Sequence, residues 1–110
     1  MSGKSAEEVR TEFDEAVNMT AGELEKWLET DESKDAGQHE DGGESVGHES
    51  GRRIVDLLRT KKADLSEDDE KHMRKVVGYV HRHMAQRPDG DVRETTWRYS
   101  LMNWGHDPLK

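Results

Sequence analysis

The chain has 110 residues and no Cys, with 30% hydrophobic residues, 38% charged residues and a formal net charge of -8. That length fits one domain, residues 1–110, with no room for a second core; disulfides and thiolate metal sites are excluded, and the small apolar share sits near the border with disorder. No apolar run approaches the length of a membrane span, and the opening MSGKSAEEV lacks a signal peptide's apolar stretch, so a cytoplasmic protein with no membrane partner is expected.

The charge is unevenly distributed. Residues 1–50 hold 15 acids against 4 bases, and residues 51–110 hold 10 acids against 13 bases. This asymmetry suggests an acidic arm and a basic binding half, while a solvated acidic surface, salt-adapted or not, explains it equally well.

In chain order, Ser5 followed by Glu8 reads as a capping box, and Val9, Phe13, Ala16 and Val17 form a helical stripe, predicting a first helix over 6–18. Thr20 with Glu23 is a second capping box, with Met19 placed to staple onto Leu24. Leu24, Trp27 and Leu28 then supply the buried face of a second helix ending near Thr30. Residues 31–50, DESKDAGQHEDGGESVGHES, are rich in Gly and acids with Val46 the one strongly apolar residue, and composition predicts a mobile acidic loop. A structureless segment of that length points to function or to a tolerated insertion.

Ser50 is the expected cap of a third helix, GRRIVDLLRTKK, with Ile54, Leu57 and Leu58 facing one way. A turn through Ala63, Asp64 and Leu65 leads to Ser66, whose following acids favour a helix N-terminus. The fourth helix is predicted over 67–86, stopping before Pro88, and a last helix over 92–104 with Trp97, Leu101 and Trp104 on one face. Gly105 is its expected C-cap. Tyr99 falls opposite the tryptophans and is expected to be exposed. No period-2 strand pattern occurs, so the expected fold is all-α, a small bundle of about five helices with the acidic loop between the second and third.

The segment KHMRKVVGYVHRHMAQR, residues 71–87, contains no carboxylate. At helical spacing Met73, Val76, Val77, Val80 and Met84 share an apolar sector, while Lys71, Lys75 and Arg82 lie opposite, with Arg74 flanking and Gly78 between. Helix surfaces normally mix signs, because Glu–Lys pairs at i, i+4 stabilise them. These cations therefore need a partner elsewhere: the protein's own acids, or an external polyanion. In the external reading Lys71, Arg74, Lys75 and Arg82 contact phosphates, with Arg52, Arg53, Arg59, Lys61 and Lys62 contributing from the preceding helix and turn. Gly78 would then allow close backbone approach, although a merely tolerated helical Gly is the commoner reason. Basic residues interleaved with aromatics are not evident, and the net charge is unlike that of a typical DNA-binding protein. The third and fourth helices form a helix-turn-helix-like pair, as any two consecutive bundle helices do.

Six His invite a metal, yet His81 and His83 are two apart and point to different faces, while His39 and His48 fall in the expected loop, where only adventitious binding is expected. No H-E-x-x-H, calcium loop, phosphate loop, nucleophile elbow or Cys nucleophile occurs, and Asp14–Glu15 and Asp68–Asp69 read as solvated carboxylates. The expectation is a non-enzyme with no cofactor and no metal.

The islands VNMTAGELEKWLET, GRRIVDLLRTKKADLSEDDEKHMRKVV and TTWRYSLMNWGHDPLK together resemble a family of small, uncharacterised prokaryotic proteins defined by a domain of unknown function, some of whose members carry a DNA-binding label. The resemblance implies that Lys61, Lys62, Asp64, Leu65, Ser66, Trp97, Arg98, Leu101, Met102, Gly105, His106, Asp107 and Pro108 belong to a common pattern, and it establishes no catalytic or ligand residue. Asp107 before Pro108 reads equally as turn chemistry. DNA binding through the basic half is the leading expectation, with the acidic loop covering that face when no nucleic acid is bound. The alternative is a protein-interaction module, or a homodimer, pairing acidic with basic surfaces.

Overall fold

A computed structural model describes residues 5–36 and 46–110, with the backbone alone described at Ala6 and Val46. Among these residues there are six α-helices, one 3-10 turn and no strand: α1 Ala6–Ala16, α2 Ala21–Leu28, α3 Asp31–Ala36, α4 Val46–Arg59, the turn Lys62–Asp64, α5 Glu67–Met84 and α6 Thr96–Asn103.

Local chemistry sets most of the starts. The Ser5 hydroxyl accepts from the Glu8 N–H, so the first cap forms, without the reciprocal backbone bond of a capping box. Thr20 and Glu23 make the full reciprocal box, and so do Ser66 and Asp69 at the head of α5. Thr95, rather than a residue near 92, caps α6, because its hydroxyl accepts from the Arg98 N–H. Gly105 follows α6 at φ 81°, the left-handed conformation that closes a helix without a Cβ penalty.

The helices pair as α1 on α5 and α2 on α4, with α6 packed against α3 and touching α2, α4 and α5. Phe13, Leu24, Ile54, Val76 and Leu101 are all but inaccessible and form one cluster with Val9, Val17, Met73 and Trp104. Burying each large apolar side chain contributes about 1.5–3 kcal/mol, which lets a chain with few of them fold. The expected stripes on α1 and α5 are buried, except that Met84 is only half-buried.

Three expectations are corrected. The acidic segment 31–50 is helical at both ends, in α3 and in the start of α4, and residues 37–45 lie outside the described residues. Composition misleads there because α3 is held by tertiary bonds. Buried Asn103 accepts through Oδ1 from Trp27 Nε1 (2.8 Å) and Ser33 Oγ (2.5 Å) and donates through Nδ2 to the Ser33 carbonyl (3.0 Å). Secondly, Ser50 is not a cap: α4 begins at Val46, and the buried Ser50 hydroxyl meets His72 Nε2 at 2.9 Å. Thirdly, Tyr99 is half-buried, its ring 5.4 Å from that of Trp27. At Gly51 α4 runs close against the end of α6, since a Cβ there would sit 2.5 Å from the Asn103 carbonyl oxygen.

Candidate functional site

Helix α5 carries the acid-free stretch, and its four expected cations Lys71, Arg74, Lys75 and Arg82 are all exposed. Among the described residues no carboxylate forms an ion pair with Lys71, Lys75 or Arg82; Lys75 Nζ instead lies 6.0 Å from the centroid of the Trp104 ring. Arg74 is not without a partner. Lys61 and Lys62 are exposed at the 3-10 turn just before α5, also outside any ion pair among the described residues.

The α4 arginines are placed differently. Arg53 Nη2 pairs with the Asp69 carboxylate at 3.5 Å, and Arg52 also has a partner within the chain. Both line a groove of about 620 Å³ along α2 and α4, which also holds Glu25, Glu29, Glu49 and Asp56. Arg59 is bound there too, its guanidinium forked onto Glu25 at 3.1 and 3.3 Å. The cations expected to act together thus divide, with the α5 set facing outward and the α4 set already facing acids.

A second feature lies beside the α5 cations. Five rings from α5 and α6 and its cap are stacked near-parallel in the order His72, Trp104, Tyr79, His83, Trp97. Successive centroids are 6.2, 4.2, 4.8 and 6.4 Å apart, with interplanar angles of 13°, 13°, 18° and 6°. The Arg87 guanidinium covers the far end, 5.5 Å from the Trp97 centroid. Two cations, Lys75 and Arg87, thus lie against rings of an otherwise continuous ladder. The signal was present as His72, Tyr79 and His83 at i, i+7, i+11, one face of a helix, matched by Trp97 and Trp104 at i, i+7.

The ladder is anchored rather than loose. Trp97 Nε1 donates to the His83 carbonyl at 2.7 Å. Burial, reinforced by the Arg53 and Lys75 charges, pushes the His72 imidazole down to about 4, and burial lowers His83 as well. His72 is therefore neutral at pH 7.

The family-pattern residues near the C-terminus are committed to the fold. Arg98 forks onto Asp107 through Nε and Nη2, both at 3.2 Å, and donates through Nη1 to the Arg93 carbonyl, so three of its five N–H groups are held within the fold. Asn18 exchanges two bonds with the Asp107 backbone at 2.9 and 2.8 Å, and His106 Nδ1 meets the Ala16 carbonyl at 2.7 Å. Burial would raise the Asp107 carboxyl, but bonds from Arg98 and the Leu109 N–H outweigh it and hold the group below its usual range. This clasp is turn chemistry.

No group of three or more His, Asp or Glu that could hold a metal ion occurs among the described residues. His48, expected in a loop, sits on α4 with Nε2 2.6 Å from the Leu28 carbonyl; His81 is exposed while His83 is in the ladder; His39 lies outside the described residues. None of the described helices is long and apolar enough to cross a membrane.

Set against known proteins, the chain matches no curated protein and no solved structure. A family model described as a protein of unknown function, DUF3140, matches residues 12–102, which takes in α2 to α5 whole, the last turn of α1, α6 but for Asn103, the basic face and the aromatic ladder but for Trp104. The chain belongs to the DUF3140 family.

Proposed function

We propose that this protein is a non-enzymatic, cytoplasmic nucleic-acid-binding protein, which contacts phosphates through the outer face of α5 and the lysines before it. The observation that carries the reading is the exposure of Lys71, Lys75 and Arg82 with no ion-pairing carboxylate among the described residues. Cations so placed can neutralise phosphates and release condensed counterions. Lys71 to Arg82 spans roughly 16 Å of helix axis at 1.5 Å per residue, enough to track several phosphates of one strand. Lys61 and Lys62, exposed at the turn before α5, add two cations near its start. The DNA-binding label carried by some members of the small prokaryotic family that the chain resembles accords with this reading.

The alternative reading, pairing with another protein or a second copy, has less support. Leu109 is the one exposed large hydrophobic residue among those described, and stable homodimers normally bury an apolar centre.

The test is a titration with duplex DNA across a salt series. Phosphate contact predicts that log affinity falls with log salt by about 0.9 per phosphate neutralised. Lys75→Ala and Arg82→Ala each flatten the slope by about one contact. Absence of binding at low salt refutes the reading, and concentration-dependent sizing of the protein then tests self-association.

A further inference from the structure

We propose that the Trp97 end of the aromatic ladder is a nucleobase platform, so that the preferred ligand of the basic face is a single strand whose unpaired base inserts between Trp97 and Arg87. This rests on the nucleic-acid reading above and specifies its substrate class.

Trp97 is fixed in place before any ligand arrives. Its indole N–H is bound to the His83 carbonyl, and the near-parallel His83 ring lies on the ladder side. The ring is half-buried, while Arg87, which covers it, is exposed. With its carbon 5.5 Å from the ring centroid, the guanidinium stands no higher than that above the ring, short of the ~7 Å a sandwiched base needs. Swinging this solvent-exposed Arg outward makes that room at little cost. The base would then lie between an aromatic face and a planar cation, the two surfaces that hold unpaired bases in sequence-tolerant single-strand binders.

The neighbouring cation has a matching role. Arg82, exposed on α5 next in sequence to His83, whose ring neighbours Trp97, would contact phosphates flanking a base held there. A duplex keeps its bases stacked inside and offers this platform nothing, whereas a single strand offers both base and backbone.

The test compares a short oligothymidylate, a duplex of equal length and inorganic polyphosphate, which has the charge but no base. The full-length protein should bind oligothymidylate about tenfold more tightly than polyphosphate. Trp97→Leu should remove that preference, with polyphosphate binding unchanged. Because Trp97 also bonds His83, Arg87→Ala provides the second variant: it leaves the fold alone and should weaken oligothymidylate about fivefold more than polyphosphate. An oligouridylate arm separates DNA from RNA as the source of the base. Equal affinity for oligothymidylate and polyphosphate, insensitive to Arg87→Ala, overturns the platform while leaving phosphate binding intact. Binding of none of the three probes overturns both.

Discussion

Asn103→Ala is the substitution on which the architecture is most exposed to test. Asn103 is 1% accessible and makes three side-chain bonds, two accepted from Trp27 and Ser33 and one donated to the Ser33 carbonyl. At about 1 kcal/mol net per bond the direct loss is about 3 kcal/mol. Stranding the fully buried Ser33 hydroxyl and carbonyl adds desolvation cost, bringing the expected loss to about 3–5 kcal/mol. Against a typical stability of about 5–15 kcal/mol that is a large fraction, readable by urea unfolding. The effect should also be local. With six residues α3 is far below the length at which a helix stands alone, so its amides should exchange much faster in the variant than those of α5. A Ser33→Ala, Asn103→Ala double-mutant cycle should return a coupling of at least about 1 kcal/mol. A loss below about 1 kcal/mol, or α3 exchange unchanged, would refute the argument that this amide holds α3 in place.

Three further outcomes are expected. Gly51→Ala should destabilise by about 1–2 kcal/mol, because its Cβ meets the Asn103 carbonyl oxygen at 2.5 Å and overpacking outweighs the gain in helix propensity; a stabilised variant in thermal melts would contradict the close approach. Gly78→Ala should stabilise by about 0.5–1 kcal/mol, since its Cβ meets only the movable tip of Arg82 at 3.1 Å; unchanged affinity for nucleic acid would also retire Gly78 as a point of backbone approach. His72, at 6.5 when unfolded and about 4 when folded, lets the unfolded state bind more protons between those values, so its stability contribution is lost as pH falls from about 6.5 to 4. Replacing it with Gln should flatten the stability profile across that window, and parallel profiles would show that His72 does not titrate as its burial requires.

The legible parts of the fold are those decided within one turn of helix. Thr20 with Glu23 and Ser66 with its acids mark helix starts whatever lies around them, and the apolar stripes of α1 and α5 follow from spacing alone. Illegibility begins where a distant partner decides. Asp31–Ala36 has the composition of a loop, and bonds from α6 some 64 to 70 positions away, Asn103 to Ser33 and Ser100 to Ala36, help hold it as a helix. Ser50 looks like a cap locally, yet its hydroxyl is taken by His72. The same holds at the candidate site. The exposed cations of α5 could be placed from periodicity, whereas the pairing of Arg53 with Asp69 could not. The ring ladder does not follow from the aliphatic stripe of α5, because it lies on the half-buried flank that carries the histidines and Tyr79.

The clasp at the C-terminal end has a temporal meaning. Met19 donates to the Gly105 carbonyl, Asn18 is bound to Asp107, and the Lys110 ammonium reaches Glu23 at 2.6 Å, so the bend between the first two helices is secured by residues made almost ninety positions later. During synthesis that bend must wait, unlatched, until residue 110 has been added, and contacts of such long sequence separation are slow to close. A corner made before most of the fold thus locks only after the residues that hold it, almost ninety positions on, have followed.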